Sequence, residues 1–306
     1  MVSPLGLSAE ESWAALLDGG CGVRALREED FPEEQAELAG KMPSQVVACI
    51  DRRRYQRQLE EAGEQDQRRV APFTSYALSA AAEALADADW MPLPQSAREA
   101  TGVAIGSGMS GTADVLEAGT LISEGRLRRV SPFFIPRILP NMAAGAVSIH
   151  YGLLGPNHAA STACASAAHS LGDAFTLIAR GAADVMLAGG TEAAVDAVAM
   201  GGFSRLKALS TGYNEEPSEA SRPFDADRDG FVLGEGAAVL VLEELEHARA
   251  RGVPMYAEVR GYGLSGDAHH ITSPNPMGVG ATLAMQRAIR QSGVSPDAFC
   301  YVNAHA

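Results

Sequence analysis

Cysteine is scarce in this 306-residue sequence: Cys21, Cys49, Cys164 and Cys300 are the only four, and no two are spaced C-x-x-C. A disulfide framework or a zinc site needs paired or clustered thiols, so this scatter argues against both and for a reducing compartment. Long apolar runs are missing too. Stretches such as 237–242 fall far short of the ~20 apolar residues that a membrane-crossing helix requires. The start, Met1 to Leu7, has neither the basic flank nor the apolar run of a signal peptide. Positive charge is in short supply, with 24 Lys and Arg against 38 Asp and Glu and a formal net charge of −14. That balance argues against a nucleic-acid binder, whose affinity comes largely from neutralising phosphates. It leaves room for an acidic partner, because a local basic patch acts independently of the total.

The sequence does have apolar content for a core, at 46% hydrophobic and 20% charged, which excludes wholesale disorder. A short amphipathic helix is predicted over 10–17. Residues 51–69, DRRRYQRQLEEAGEQDQRR, read as a solvated helix or loop. Over 71–89, Phe73, Ala77, Ala80, Ala81, Ala84, Leu85 and Ala88 share one helical face, and Trp90 with two prolines ends that helix. Short β-like runs then alternate with alanine-rich helices. Strands are predicted at 101–105, 185–188, 238–242, 256–262 and 301–303, and helices at 112–123, 165–179 and 280–292. This alternation predicts an α/β fold with a largely parallel inner sheet. A seam at 249–254, RARGVP, divides the sequence into 1–248 and 253–306.

Two motifs invite other readings. Gly106-Ser-Gly108-Met-Ser-Gly111 follows a predicted strand and matches a dinucleotide fingerprint, as does Gly261-Tyr-Gly263-Leu-Ser-Gly266. No strand ending in an acidic residue follows at the distance that ribose binding needs. Asp225, Asp227, Asp229 and Gly230 open like a calcium loop, but its twelfth position is Gly236 where a bidentate Glu is required. No metal and no cofactor are therefore expected.

The chemistry concentrates at Ser161-Thr-Ala-Cys164-Ala-Ser166. Leu171, Ala174, Phe175 and Ile178 repeat with helical spacing just beyond, so Cys164 falls at a helix N-terminus, where unpaired amides and the helix dipole stabilise a thiolate. Small neighbours would let a thioester carbonyl approach Sγ while a backbone N–H meets its developing oxyanion. A buried, inert thiol fits the local sequence equally well.

Longer text separates these readings. GPNHAASTACASAAHSLGDA around Cys164, ADVMLAGGTEA at 183–193, RPFDADRDGFVLGEGAAVLVLEE at 222–244, YVNAHA at 301–306 and SPFFIPRILPNMAAG at 131–145 stand in one order. Together they resemble the β-ketoacyl-[acyl-carrier-protein] synthases of the long-chain elongating type, especially the mitochondrial branch. The resemblance implies a thiolase-like α/β fold: two similar halves in a layered sandwich, usually in a homodimer. The second half is expected to be incomplete here. It further implies fatty acid biosynthesis by decarboxylative Claisen condensation, and so a mitochondrial address, with the cytoplasm or a plastid as alternatives. An acyl chain passes from acyl carrier protein to the cysteine, and malonyl-carrier protein then loses CO2 and attacks that thioester.

By the same resemblance the nucleophile falls on Cys164 and the first catalytic histidine on His305, which alone would read as an ordinary strand-end residue. His169 matches no catalytic position, and His150, His158, His269 and His270 read as structural, although the resemblance puts the loop carrying the last two near the site. Met109, Phe134 and Phe203 are candidate acyl-pocket residues, and apolar core is an equal reading for each. Arg68, Arg69, Arg128, Arg129 and Lys207 match basic positions expected to dock the acidic carrier protein. The resemblance also calls for a lysine, a second histidine and a Gly-Phe-Gly-Gly loop beyond His305, and the sequence ends at Ala306. With one histidine donor, condensation by this polypeptide is expected to fail, since losing such a donor costs about 10²–10³ in rate. A polyketide-type ketosynthase is the alternative activity, and an inactive family fragment or a chain-length factor the alternative without one. Cys164 speaks against the last.

Overall fold

A computed structural model describes residues 1–63, 70–91 and 94–305. In chain order the strands are β1 (Arg24–Ala25), β2 (Val46–Ala48), β3 (Thr101–Gly106), β4 (Asn157–His158), β5 (Val185–Ala193) and β6 (Leu233–Glu243). The α-helices are α1 (Ala9–Leu17), α2 (Arg52–Glu61), α3 (Pro72–Asp87), α4 (Gln95–Glu99), α5 (Thr112–Ser123), α6 (Phe134–Ile138), α7 (Met142–Tyr151), α8 (Ser166–Ala179), α9 (Ala197–Arg205), α10 (Leu245–Arg251) and α11 (Val279–Ser292). The strands join in one mixed sheet in the order β1-β2-β6-β5-β3-β4.

Strand periodicity sorts the core onto the two faces of this sheet. Val103, Ile105, Leu187 and Val239 point to one side, where Phe73, Ala77, Ala80 and Ala81 of α3 and Ala143, Ala144 and Val147 of α7 cover them. Ala104, Met186 and Ala188 point to the other, against Leu171, Ala174 and Ile178 of α8. All six residues of β3 are buried, which explains its near-continuous apolar text. A third cluster, with Phe31, Val47, Cys49, Val195, Met200 and Leu233, packs beneath α9.

The sheet departs from the parallel expectation at two pairings, β1 with β2 at its edge and β5 with β6 inside it. β3 runs parallel to β4 and β5, but β5 and β6 pair antiparallel from Val185↔Glu243 to Ala193↔Glu235. The excursion through α9 returns to the end of β5 that it left, so no crossover is needed. β5 also continues to Ala193, past the predicted end at 188. Gly189 and Gly190, just past that predicted end, are required inside the strand: a Cβ on Gly189 would lie 2.0 Å from the Ala238 carbonyl oxygen, and one on Gly190 2.5 Å from Cβ of Ala167 in α8.

The predicted strands at 256–262 and 301–303 carry no ladder pairing among the described residues. Residues 261–263 pack instead on α11. The Tyr262 amide donates to Gln291 Oε1 at 2.8 Å, and a Cβ on Gly263 would lie 2.0 Å from the Ala284 carbonyl oxygen. Alternating sequence without a neighbouring strand to exchange hydrogen bonds stays an unpaired segment, and 256–260 and 301–303 are exposed. The Tyr262 ring lies over Gly172 of α8, so α8 is held between the sheet and this segment.

Buried charge ties the N-terminal part to the sheet. Glu235 in β6 accepts from the Ile50 amide at 3.2 Å and pairs with Arg52 at 3.2 Å. Burial pushes its carboxyl above the ordinary range, against the pull of Arg52. Burial, with Glu235 nearby, pushes the Cys49 thiol up as well, so the buried cysteine is held as an inert thiol.

Candidate active site

Parallel pairing of β3 with β5 brings Gly106 beside Gly190, and the loops that leave these two strands meet at one edge. Into this edge comes a short 3-10 turn, Ala163–Ala165, which runs straight into α8 and carries Cys164. Cys164 is exposed, unlike Cys49. Ala163, immediately before it, has φ +52, in the left-handed region that non-glycine residues rarely occupy.

The glycines of 106–111 find their use here. A Cβ on Gly106 would lie 2.6 Å from the Ser166 carbonyl oxygen and 2.7 Å from that of Ala160; one on Gly108 would lie 3.0 Å from the Ala163 carbonyl oxygen. The fingerprint-like glycines therefore admit the cysteine turn and the start of α8, and protein backbone fills the space a phosphate would need. The other candidate motif also resolves into structure. Asp229 accepts from the Thr211 and Gly212 amides at 2.8 and 2.7 Å, and Asp225 pairs with Arg222. No cluster of three or more His, Cys, Asp or Glu suited to a metal occurs among the described residues.

Two residues that sequence reasoning missed hold the site. Glu192 near the end of β5 accepts from the amides of Gly108 and Met109 at 2.9 and 3.0 Å and from the Ser107 hydroxyl at 3.2 Å. Burial raises its carboxyl above the ordinary range, although those three donors pull it down. Ser166, which is buried, accepts from the Thr162 amide at 2.9 Å and donates to the Ala163 carbonyl at 2.7 Å. An acid closing the apolar stretch at 183–193 was the one signal that could have singled out Glu192.

The other candidates divide. Met109 and Phe203 pack against the α9 cluster, and the Phe203 ring meets Phe231 edge-on at 5.3 Å. Phe134 begins α6, half-buried. Arg128 and Arg129 are exposed on a 3-10 turn, Leu127–Arg129, and Lys207 is exposed just past α9 with φ +55. Arg68 and Arg69 lie outside the described residues. His305 is exposed, with no hydrogen bond to Cys164 among the described residues. A cavity of about 710 Å³ opens between α3 and α5, lined by Phe73, Leu116, Arg129 and Arg137 among others; Cys164, Met109, Phe134 and Phe203 are not in its wall.

Known proteins resemble this chain in sequence and in fold. Residues 1–248 match the family described as "Beta-ketoacyl synthase, N-terminal domain", and 256–306 match "Beta-ketoacyl synthase, C-terminal domain". The chain belongs to the beta-ketoacyl synthase family. Among curated members, the mitochondrial 3-oxoacyl-[acyl-carrier-protein] synthase of Arabidopsis thaliana is 54% identical across this whole chain, which spans 68% of that relative. 3-Oxoacyl-[acyl-carrier-protein] synthase 2 of Rhizobium meliloti is 50% identical, with 72% of its length covered. Among solved structures, a Beta-ketoacyl synthase from Burkholderia phymatum STM815 superposes with a TM-score of 0.84 at 34% identity, covering 99% of this chain and 71% of the other. A type II PKS acyl-carrier protein in complex with its ketosynthase bound to the hexaketide gives 0.81 at 28% identity, covering 96% and 68%. The chain is shorter than these ketoacyl synthases and has their thiolase-like α/β fold, with its mixed sheet and flanking helices.

Proposed function

We propose that Cys164 takes an acyl group as a thioester from acyl carrier protein, in the decarboxylative condensation that gives 3-oxoacyl-acyl carrier protein in fatty acid biosynthesis. The observation that carries this reading is the placement of Cys164: exposed, on a left-handed turn at the N-terminus of α8, with glycines 106 and 108 clearing its approach. The thiolate attacks the acyl carbonyl, and the carrier's phosphopantetheine thiol leaves. His305 serves the malonyl half of the reaction by donating to the enolate oxygen. Met109, on the loop clamped by Glu192, lines the acyl chain with Phe134 and Phe203. Arg68, Arg69, Arg128, Arg129 and Lys207 meet the acidic carrier.

The names of the Arabidopsis and Rhizobium relatives support the fatty-acid reading, and the former supports mitochondrial residence. The apolar side chains Val115, Leu116 and Ile122 of α5, with Phe133, Ile135 and Leu139, are exposed and support a homodimer. The likeness to a ketosynthase bound to a hexaketide supports a second reading, polyketide extension. Transfer from carrier protein bearing a saturated chain or a poly-β-keto chain distinguishes the two. The saturated donor is expected to release free carrier protein faster, and Cys164→Ser to release none. Faster release from the poly-β-keto donor favours the polyketide reading, and equal release by Cys164→Ser removes both.

A further inference from the structure

The turn that presents Cys164 is exposed from Ser161 through Cys164 and contains a left-handed Ala163. Such a conformation is costly in a non-glycine residue, so it persists only where its surroundings impose it. Two side chains of α8 reach back to impose it. Ser166 holds the Thr162 amide and the Ala163 carbonyl. The second is His169, on the next turn, whose Nδ1 lies 2.7 Å from the Thr162 hydroxyl. The ring is half-buried and its recorded partner is Thr162, not the thiol.

We propose that His169 is a positioning residue for the nucleophile: through Thr162 it fixes the left-handed turn that aims the Cys164 thiol at an incoming thioester. The proposal rests on Cys164 being the nucleophile, and it gives a role to a histidine that matches no catalytic position in the family pattern. Ser166 fixes the backbone on either side of the Thr162–Ala163 peptide. His169 fixes the Thr162 side chain, and with it the direction from which the chain enters the turn. Loss of either partner of the His169–Thr162 bond frees the same movement.

Two further cysteines of the full chain supply the controls. Iodoacetamide labelling, resolved by peptide mass spectrometry, reads each thiol separately: Cys164 reports the turn, exposed Cys21 reports the reagent, and Cys49, 4% exposed, reports the fold. His169→Ala and Thr162→Val are each expected to slow acyl transfer from acyl carrier protein about fivefold to tenfold, the loss of one hydrogen bond's worth of positioning. The double variant should be no slower than the slower single one, because both remove one interaction. His169→Asn, whose amide reaches the position of Nδ1, should recover most of the rate. Cys21 labelling and Cys49 protection should stay unchanged.

A double variant that multiplies the two losses, or a Thr162→Val variant with normal transfer, overturns the proposal and assigns His169 a direct or merely structural part. If Cys49 becomes reactive in His169→Ala, the Asn and Val variants decide alone. If the wild-type chain takes no acyl group at Cys164, the functional reading has failed. Iodoacetamide labelling of Cys164 then still tests the turn, since the same pattern of rates is expected.

Discussion

Glu192 shows how much of this site depends on single residues without reactive chemistry. One carboxylate oxygen collects two successive amides, those of Gly108 and Met109, and the other collects the Ser107 hydroxyl. The loop beside the cysteine turn is thereby tied to the end of β5. Burial raises this carboxyl above its ordinary value of 4.5, so the folded chain binds its proton more tightly than the unfolded chain does. Its contribution to stability must therefore fall as pH rises from 4.5 through the raised value. Urea unfolding of wild type and Glu192→Gln across that interval is expected to give a stability difference that shifts against the wild type with rising pH. Parallel curves would contradict the assignment. At this scale the sequence marks Cys164 and His305 as candidates through the family-like text around them. Glu192 and Ser166 are not, because their importance lies in backbone groups they hold, and backbone partners leave no mark in the residue pattern.

Among elements, the contact that matters most is α8 on β3 and β5, and glycine makes it possible. With Gly190 facing Ala167 and Gly106 facing the Ser166 carbonyl, the helix settles close enough for its first turn to form one wall of the site. Adding a methyl in such a packed interface costs about 1–3 kcal/mol. Gly190→Ala is expected to lose that much stability in urea unfolding and to slow acyl transfer to Cys164, since α8 must move outward. A variant with unchanged midpoint and rate would show that the helix is not seated by this contact. Helical spacing was clear for α3 and α8, whose apolar stripes pack on opposite faces of the sheet. The alanine-rich α7 and the glycine-containing α9 gave no such stripe. The ends of β5 and β6 were obscured for a related reason: their glycines and acids serve close packing and buried pairing, which local pattern does not encode. The stretches at 256–262 and 301–303 have strand-like text, but a strand is completed by its neighbour, and pairing is a property of the whole sheet.

On the scale of the whole molecule, the proposed function requires an acidic chain to meet an acidic carrier protein. The net charge of −14 opposes that encounter, so a local cationic surface must overcome it. Arg128 and Arg129 are exposed together on one turn, and Arg129 also borders the cavity between α3 and α5. Reversing both, Arg128→Glu with Arg129→Glu, is expected to slow transfer from acyl carrier protein about tenfold at low salt, with the gap narrowing as salt is added. Transfer from a small acyl thioester should be unaffected, because it needs no docking surface. Equal loss with both donors would place the two arginines in the fold or the site instead of the docking surface.

The central claim is that Cys164 is the acyl-accepting nucleophile. Its most direct test is a peptide map of the chain after brief exposure to acyl carrier protein charged with a saturated acyl group. The account predicts one acyl mass per chain, on the peptide that holds Cys164, released by hydroxylamine as a thioester must be, with Cys21, Cys49 and Cys300 unmodified. Acyl mass spread over the exposed cysteines, or absent from Cys164, would contradict it.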